Sequence, residues 1–318
     1  MSADFVHPAC LEGLHTLKQH HLVAVAAPPV DIFAAPLGET AAPPDEGGDA
    51  DPRRVASWSA DGRVRFDGAG RVTALDLGGR RLRRAPPSLG GFAGLTTLSL
   101  AGTHLPAADA CAVLSQVRGR VERLHLGGNG WGPGGATALA ASEFFADNGR
   151  DSRLRKLDLR YNDLGDAGVA TIVEALANAA HLQHLYLEGN RIGDAGCAAL
   201  ARWLATTAPF PCPLRGLYLG DNAIGPAGAR ALAGCLRGGG GGSGGGLSTL
   251  YLEGNRLGDE GVTAFCQALE DTDDGAAVPR LYLENNTQLS KAVSERLKQA
   301  LRRRARVPEA TDESTPEC

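Results

Sequence analysis

Three short stretches of this sequence have residue types and spacings found in known chemical sites. Residues 130–135 read Gly-Trp-Gly-Pro-Gly-Gly and fit the G-x-G-x-x-G pattern, whose backbone N–H groups can cradle a phosphate. Residues 241–245 fit the G-x-S-x-G pattern of a serine nucleophile. His181 and His184 are three residues apart, a spacing that metal-binding imidazoles can use. Nucleotide binding, hydrolysis and metal binding are therefore the chemical functions to consider first.

The sequence around each stretch argues against that chemistry. The glycines of 130–135 fall in the register of a repeat described below, so the repeat accounts for them. The serine of 241–245 lies in a glycine run that leads into a strand, whereas a nucleophile of this type needs a strand before it and a helix after it. No cysteine or carboxylate completes a ligand set with His125, His181 and His184. We therefore predict no enzymatic activity, no cofactor and no metal site.

The dominant feature of the sequence is one phrase that occurs eight times between residues 72 and 286. It has the form L-x-L-x-x-N and is nearly identical in its later copies, such as 185–190 and 250–255. The alternating leucines predict a short strand with one buried face. A Gly-x-x-Gly phrase and apolar residues four apart follow, and they predict a helix. No single coil of strand, turn and helix can bury its own apolar face, so the coils must stack.

The asparagine that ends each phrase has two amide donors and a carbonyl acceptor, which can satisfy backbone groups where the chain turns inward. Repetition from coil to coil predicts a structural ladder of these side chains. Its members are Asn129, Asn162, Asn190, Asn222, Asn255 and Asn286.

The full strings L-x-x-L-x-L-x-x-N-x-(I/L)-G-x-x-G of the central coils resemble the ribonuclease-inhibitor-like class of leucine-rich repeat. That class also occurs in NOD-like receptors and in the Ran GTPase-activating protein. The resemblance implies a right-handed α/β horseshoe of about eight coils, with a parallel sheet on the concave face and helices on the convex face. The first two coils, at 72–82 and 95–105, lack the asparagine and look like the shorter plant or bacterial type.

The spacing and composition of the chain divide it into three parts. Residues 53–307 are predicted to form the repeat domain, with a hairpin cap at 53–71 and a capping helix at 290–306. Residues 1–52, which are acidic and rich in alanine and proline, are predicted to be mostly disordered, with a short helix over 8–22 as a further expectation. The acidic residues 308–318 are predicted to form a disordered tail.

Differences in repeat length also have a pattern. The extra residues of the longer repeats always lie between a helix and the next strand, so the irregular loops share one rim of the horseshoe. The longest of them contains the glycine run at 238–246, which we interpret as a slack linker because it offers no side chain for a specific contact.

Composition excludes several other classes of protein. No stretch approaches the roughly 18 apolar residues that a membrane span needs. The seven cysteines are scattered and form no C-x-x-C pair, which indicates free thiols in a reducing compartment. We predict a cytoplasmic monomer that does not bind nucleic acid. The basic run at 302–306 leaves a nuclear location open, although cations that favour the C-terminal end of the last helix are the simpler explanation.

The concave face is the surface on which we expect function. The residue between the two strand leucines must point onto it, and four of the five tyrosines occupy this position. Tyrosine offers a large amphipathic contact area and has few rotatable bonds to immobilise on binding, which suits a binding face. The predicted partner-binding residues are Asp158, Arg160, Tyr161, Tyr186, Glu188, Tyr218, Tyr251, Glu253, Tyr282 and Glu284. Inheritance of a common repeat sequence is the alternative explanation, because tyrosine favours strands intrinsically.

The function that follows is a non-enzymatic scaffold for protein–protein interaction, which binds a partner protein on the tyrosine-lined face. Two alternatives come from the resemblance alone. One is an activator-type regulator of a small GTPase, and the other is a sensor module related to the repeats of NOD-like receptors.

Overall fold

The computed structural model describes residues 63–82, 85–86, 89–146, 153–177, 179–206, 214–237, 247–271, 280–286 and 289–305. The predictions for residues 1–52 and 308–318 lie outside these described residues. So do those for the glycine run at 238–246 and for most of the longer loops. Residues 53–62 of the predicted hairpin cap are also outside them.

The described residues form one sheet of nine strands, which follow one another in chain order. The strands are β1 Val64–Phe66, β2 Val72–Asp76, β3 Thr97–Ser99, β4 Arg123–His125, β5 Lys156–Asp158, β6 His184–Tyr186, β7 Gly216–Tyr218, β8 Thr249–Tyr251 and β9 Arg280–Tyr282. β1 pairs antiparallel with β2 and forms the N-terminal edge. Every later strand pairs parallel with its predecessor, as strands joined by helical crossovers must.

Eight helices lie in the described residues, and from β3 onward each strand is followed by one helix, with one exception. They are α1 Ala107–Gln116, α2 Gly132–Ala140, α3 Glu143–Ala146, α4 Gly165–Ala175, α5 Asp194–Thr206, α6 Pro226–Arg237, α7 Gly258–Asp271 and α8 Lys291–Ala305. The exception is α3, which follows α2 within one coil. Consecutive helices pack against one another, and α8 packs on α7 at the C-terminal end.

The core lies between the sheet and the helices. Both leucines of the L-x-L phrase are fully buried in most coils, for example Leu185 and Leu187. Apolar helix residues such as Ile172 and Phe265 cover them from the other side. Burial of one strand face and one helix face in every coil produces a single continuous core. The predicted fold class, an open leucine-rich-repeat solenoid with a parallel sheet and alternating helices, is confirmed.

The ladder asparagines bond in the same way in successive coils. The Asn190 amide donates to the carbonyl oxygens of Leu159, at 2.9 Å, and Leu187, at 3.0 Å, so it joins two coils. Its carbonyl oxygen accepts the N–H of Asn162 at 3.0 Å. The same pattern of donation to two leucine carbonyls is made by Asn129, Asn162, Asn222, Asn255 and Asn286.

Thr103 occupies the ladder position of the coil that begins with β3, where the sequence has no asparagine. It is fully buried, and its hydroxyl donates to the carbonyl oxygen of Leu100 at 2.9 Å. The same hydroxyl lies 3.2 Å from the amide oxygen of Asn129 in the next coil. A threonine therefore starts the ladder with fewer bonds than an asparagine makes.

A second set of bonds joins the starts of neighbouring helices. The Asp166 carboxylate of α4 accepts the N–H groups of Gly193, at 2.6 Å, and Gly196, at 2.9 Å. Asp194 does the same for Gly225 and Gly228 in the next coil. These aspartates satisfy orphan N–H groups at a helix N-terminus. We did not predict this role, although the recurrence of Gly-Asp-x-Gly in the sequence is a signal that could have found it.

Candidate functional site

The sheet brings the four strand tyrosines into one row. Tyr186 pairs in register with Tyr218, Tyr218 with Tyr251, and Tyr251 with Tyr282. The centroids of their rings are 4.3 Å, 6.4 Å and 5.3 Å apart in that order. These separations are those of interacting aromatic pairs. We call these four residues the tyrosine column. It is continuous across four coils.

Solvent reaches the tyrosine column along its whole length. Tyr186, Tyr218 and Tyr251 are half-buried, and Tyr282 is 37% exposed at the end of the sheet. Within the described residues, Tyr282 and Phe66 are the only large apolar side chains in the exposed class. The rings therefore present an amphipathic surface, and part of each ring is already shielded from water by the chain itself.

Glycines beneath the rings let them lie against the backbone. A Cβ atom added at Gly216 would lie 2.8 Å from a ring carbon of Tyr218, and one added at Gly220 would lie 3.2 Å from the Tyr251 ring. Both separations are shorter than ordinary carbon contacts. The absence of a side chain at these two positions thus sets the orientation of the tyrosines.

Tyr161 lies beside the tyrosine column, in the turn that follows β5. The residue before the ladder position is left-handed in all eight coils, and glycine occupies it in five of them. Tyr161 has φ of +54°, which is uncommon for a bulky residue. Its ring covers Gly189, where an added Cβ would lie 2.3 Å from a ring carbon. Burial and the charges of Asp221 and Glu188 raise the pKa of Tyr161 to about 12.

Asp158 lies next to the tyrosine column, since it pairs in register with Tyr186 on the neighbouring strand, and it is only 4% exposed. Arg160 donates to both of its carboxylate oxygens, at 2.9 Å and 2.7 Å, and Nδ1 of His125 lies 3.4 Å away. Burial raises the pKa of Asp158, but bonds and charges from His125 and Arg160 outweigh burial and hold the pKa below its ordinary value. A partner can therefore reach Asp158 only by way of Arg160 or His125.

Arg160 connects this cluster to the tyrosine column. Its guanidinium carbon lies 5.5 Å from the centroid of the Tyr186 ring, a cation–π distance. The side chain of Arg160 is 17% exposed and is held at three points, by two carboxylate oxygens and one ring. It is a preorganised cation at the boundary between the polar and the aromatic parts of the row.

Glu188 follows in the next coil and has a different environment. Its Oε2 atom is buried and has no hydrogen-bond partner among the residues that the structure describes. Burial raises the pKa of Glu188 to about 8, although the positive charge of Arg160 opposes the shift. A carboxyl group on the concave face is thus held in an environment that disfavours its charge.

The remaining predicted carboxylates lie farther along the sheet. Glu253 accepts a hydrogen bond from the Tyr251 hydroxyl and another from the amide of Asn285. The bond to Glu253, together with burial, raises the pKa of Tyr251. Glu284 is exposed. These residues form an acidic border along one side of the tyrosine column.

Two of the three chemical patterns named at the start of the sequence analysis lie in the described residues, namely residues 130–135 and His181 with His184. Gly132 begins α2, and an added Cβ at Gly135 would lie 2.2 Å from the Trp131 side chain, so close packing accounts for this glycine. The ring of His184 lies 6.3 Å from that of Tyr186. In the described ranges, no group of three or more His, Cys, Asp or Glu side chains could hold a metal ion. The G-x-S-x-G stretch at 241–245 lies outside the described residues.

Two further features of the described residues bear on the predictions. Four cysteines, Cys111, Cys197, Cys235 and Cys266, are free thiols that are buried or half-buried. No helix in the described ranges combines the length and the apolar composition that a membrane span needs.

One comparison with known proteins, the match to a family model, agrees with the fold. A family model described as Leucine Rich repeat matches residues 152–173, 178–201, 211–233 and 247–266. The tropomodulin C-terminal domain of Caenorhabditis elegans is 19% identical over 44% of this chain and 77% of that one, with a TM-score of 0.33. The leucine-rich repeat-containing protein LegL7 of Legionella pneumophila is 19% identical over 74% and 81%, with a TM-score of 0.39. No curated protein matches the chain.

These findings show that the chain carries leucine-rich repeats. The four matched segments each contain one L-x-L strand and the start of the helix that follows it. The narrower assignment to the ribonuclease-inhibitor-like class stays a prediction.

Proposed function

We propose that this protein is a non-enzymatic interaction scaffold and that a partner protein binds the C-terminal half of its concave sheet, centred on the tyrosine column. Repeat proteins of this kind use extended concave surfaces for recognition. The observation that carries the proposal is the register of the column, because four neighbouring, partly exposed tyrosine rings form one uninterrupted contact strip.

The surroundings of the column support this choice of face. The acidic border contributes charge that can select a partner and fix its orientation, while the rings contribute contact area. The strand backbone beneath is already hydrogen-bonded between neighbouring coils, so binding need not reorganise the sheet. Little conformational entropy should be lost from the scaffold when the partner binds.

The test uses the full chain with Tyr218→Ala and Tyr251→Ala combined. Truncation of a central aromatic anchor commonly costs about 2 kcal/mol or more, which is roughly a thirtyfold loss of affinity for each. We expect proteins captured by the wild type from a cell lysate to be lost from this variant. Their affinity should then be measured with the purified partner by isothermal titration calorimetry.

A matched control changes the opposite face of the same coils. Arg230 and Glu260 form an exposed ion pair on α6 and α7, and their joint replacement by alanine should leave capture and affinity unchanged. If the tyrosine variant keeps the partners and affinity of this control, the proposal is wrong. The column would then be an inherited repeat sequence.

The two alternative functions named in the sequence analysis stay predictions. Regulation of a small GTPase and a sensor role rest on the resemblance of the repeats. The monomeric state and the cytoplasmic location also stay predictions.

A further inference from the structure

Two buried carboxylate oxygens of the sheet, Oδ2 of Asp76 and Oε2 of Glu188, lack a hydrogen-bond partner in the described residues, and of the two Glu188 lies beside the tyrosine column. The Oε2 atom of Glu188 is shielded from solvent and accepts no hydrogen bond from any residue in the described part of the chain. Buried carboxylate oxygens in native proteins are almost always paired, because an unpaired one loses its hydration without compensation. An exception on a candidate binding face suggests that the missing donor is supplied by a ligand.

The preceding coil shows how this surface accommodates a cation. There the guanidinium of Arg160 pairs with both oxygens of Asp158 and lies over the ring of Tyr186 in the following coil. A carboxylate on one side and a tyrosine ring on the other together form a binding site for a planar guanidinium.

The following coils have a tyrosine ring at the strand position of Asp158, and three of the four place a carboxylate where Arg160 stands. The positions equivalent to Arg160 are Glu188, Gly220, Glu253 and Glu284, and the strand positions beside them are all tyrosine. Neither row contains a lysine or arginine beyond Arg160. The chain therefore supplies its own guanidinium to Asp158. The charge of Arg160 also acts on Glu188, but Oε2 of Glu188 accepts no hydrogen bond from the described residues.

We propose that the carboxylate of Glu188 receives an arginine side chain from the partner protein, and that the partner presents this arginine in a basic segment lying along the tyrosine column. The inference rests on the proposed function and specifies the chemistry of its partner. Arginine fits better than lysine because its planar group stacks on aromatic rings, bonds two oxygens at once and is more weakly hydrated.

The charges around Glu188 give the interaction a measurable signature. The charged and titratable groups near Glu188 are Arg160, Asp158, Asp221, Tyr161 and Tyr186. With a pKa of about 8, the free Glu188 carboxyl is largely protonated at neutral pH. An incoming guanidinium favours the ionised form, so binding at pH 7 must release close to one proton.

The experiment titrates the full chain with a peptide of nine arginines and with the matching peptide of nine lysines. Isothermal titration calorimetry at pH 7, in two buffers of different ionisation enthalpy, gives both the affinity and the number of protons released. Glu188→Gln removes the ability of this side chain to ionise, with little change in shape. Glu284→Gln is the matched control, because it removes an exposed charge from the same row.

We expect Glu188→Gln to bind the arginine peptide roughly thirtyfold more weakly than wild type, and Glu284→Gln to stay within about threefold. The wild type should prefer the arginine peptide and release about one proton, and Glu188→Gln should release none. Equal affinities of the two variants, or binding by wild type without proton release, would overturn the inference. If Glu188→Gln does not fold, proton release by the wild type decides alone.

Failure of this inference can be told apart from failure of the proposed function. Loss of the captured partner in the double tyrosine variant, with unchanged binding in Glu188→Gln, leaves the scaffold function standing and removes the arginine contact. Retention of the partner by the double tyrosine variant removes both.

Discussion

The residue between the two leucines of each L-x-L phrase, here called the middle residue, differs between the two halves of the concave sheet. In β2 to β5 the middle residues are Asp76, Ser99, His125 and Asp158, whereas in β6 to β9 they are the four tyrosines. Asp76, Ser99 and Asp158 are at most 8% exposed, while the tyrosines are half-buried or exposed. The register of the strands does not change between the two halves. The same backbone thus carries a buried polar row and an open aromatic row.

This difference shows how a repeat scaffold separates stability from recognition. In the N-terminal half Asp158 is paired with Arg160 within the chain, although Oδ2 of the buried Asp76 has no partner in the described residues. In the C-terminal half the middle residues contact one another, and an adjacent carboxylate oxygen has no partner in the described residues. Removal of a middle residue should therefore unfold the first half and disable the second.

The largest effect is expected for Asp158→Ala. The change leaves Arg160 without its buried partner, and breaking such a pair costs about 3–5 kcal/mol of the free energy of unfolding. Urea denaturation followed by circular dichroism measures this cost. The control is Arg71→Ala, which breaks an exposed pair with Asp67 and should cost less than about 1 kcal/mol. A loss of the same small size for Asp158→Ala would remove the contrast between the halves.

The effect of Asp158→Ala should also depend on pH in a known direction. The folded protein holds the pKa of Asp158 below its unfolded value of about 4. The unfolded chain therefore takes up the proton first, and the stability that Asp158 contributes is lost as the pH falls through its folded pKa. Wild type and variant should converge in stability on acidification.

A smaller effect is expected in the ladder that runs beneath both halves. Asn222→Ala removes one of the two amide donors to the carbonyl oxygens of Leu187 and Leu219. It also leaves the N–H groups of Asn190 and Ile192 without their side-chain acceptor, at about 1–3 kcal/mol. Thr103→Val, in the N-terminal half, removes a single donated hydrogen bond and should cost about 1 kcal/mol. Thermal and urea denaturation of both variants would give this order, and Arg191→Ala, whose side chain is exposed, serves as the control with little change.

The smallest effect on stability is expected for Tyr218→Ala. The ring is half-buried, and its contact with Tyr186 contributes about 1 kcal/mol, the usual value for an aromatic pair. Urea denaturation should show a loss well below that of Asp158→Ala. A loss above about 3 kcal/mol would mean that the tyrosine column supports the core, and the two halves would then differ in residue type alone.

The parts of this structure that could be predicted from the sequence depend on local repetition. The L-x-L phrase fixes which leucines are buried, and its constant register places Tyr186 beside Tyr218 without knowledge of the loops between them. The ladder asparagines followed from their amide chemistry and their recurrence. In each case the sequence of one coil is enough to predict the position of the residue, and stacking repeats that position in the next coil.

The parts that escaped prediction depend on contacts between unlike coils. The burial of Asp158 follows from Arg160 and His125, whose bonds to it no periodicity encodes. The buried Oε2 of Glu188 cannot be told from exposed Glu284 by sequence position, since both occupy the same place in the repeat. The left-handed backbone at Tyr161 was hidden because most other coils have glycine there.

The glycines beneath the aromatic rings restrict how this sequence can change over evolutionary time. A side chain at Gly216 would push the ring of Tyr218 aside, and one at Gly220 would require the ring of Tyr251 to shift by a few tenths of an ångström, so each glycine is easiest to replace when its tyrosine is replaced too. Each ring and its glycine should therefore be kept or lost together among descendants of this chain. A joint loss would mark a lineage that had abandoned this surface.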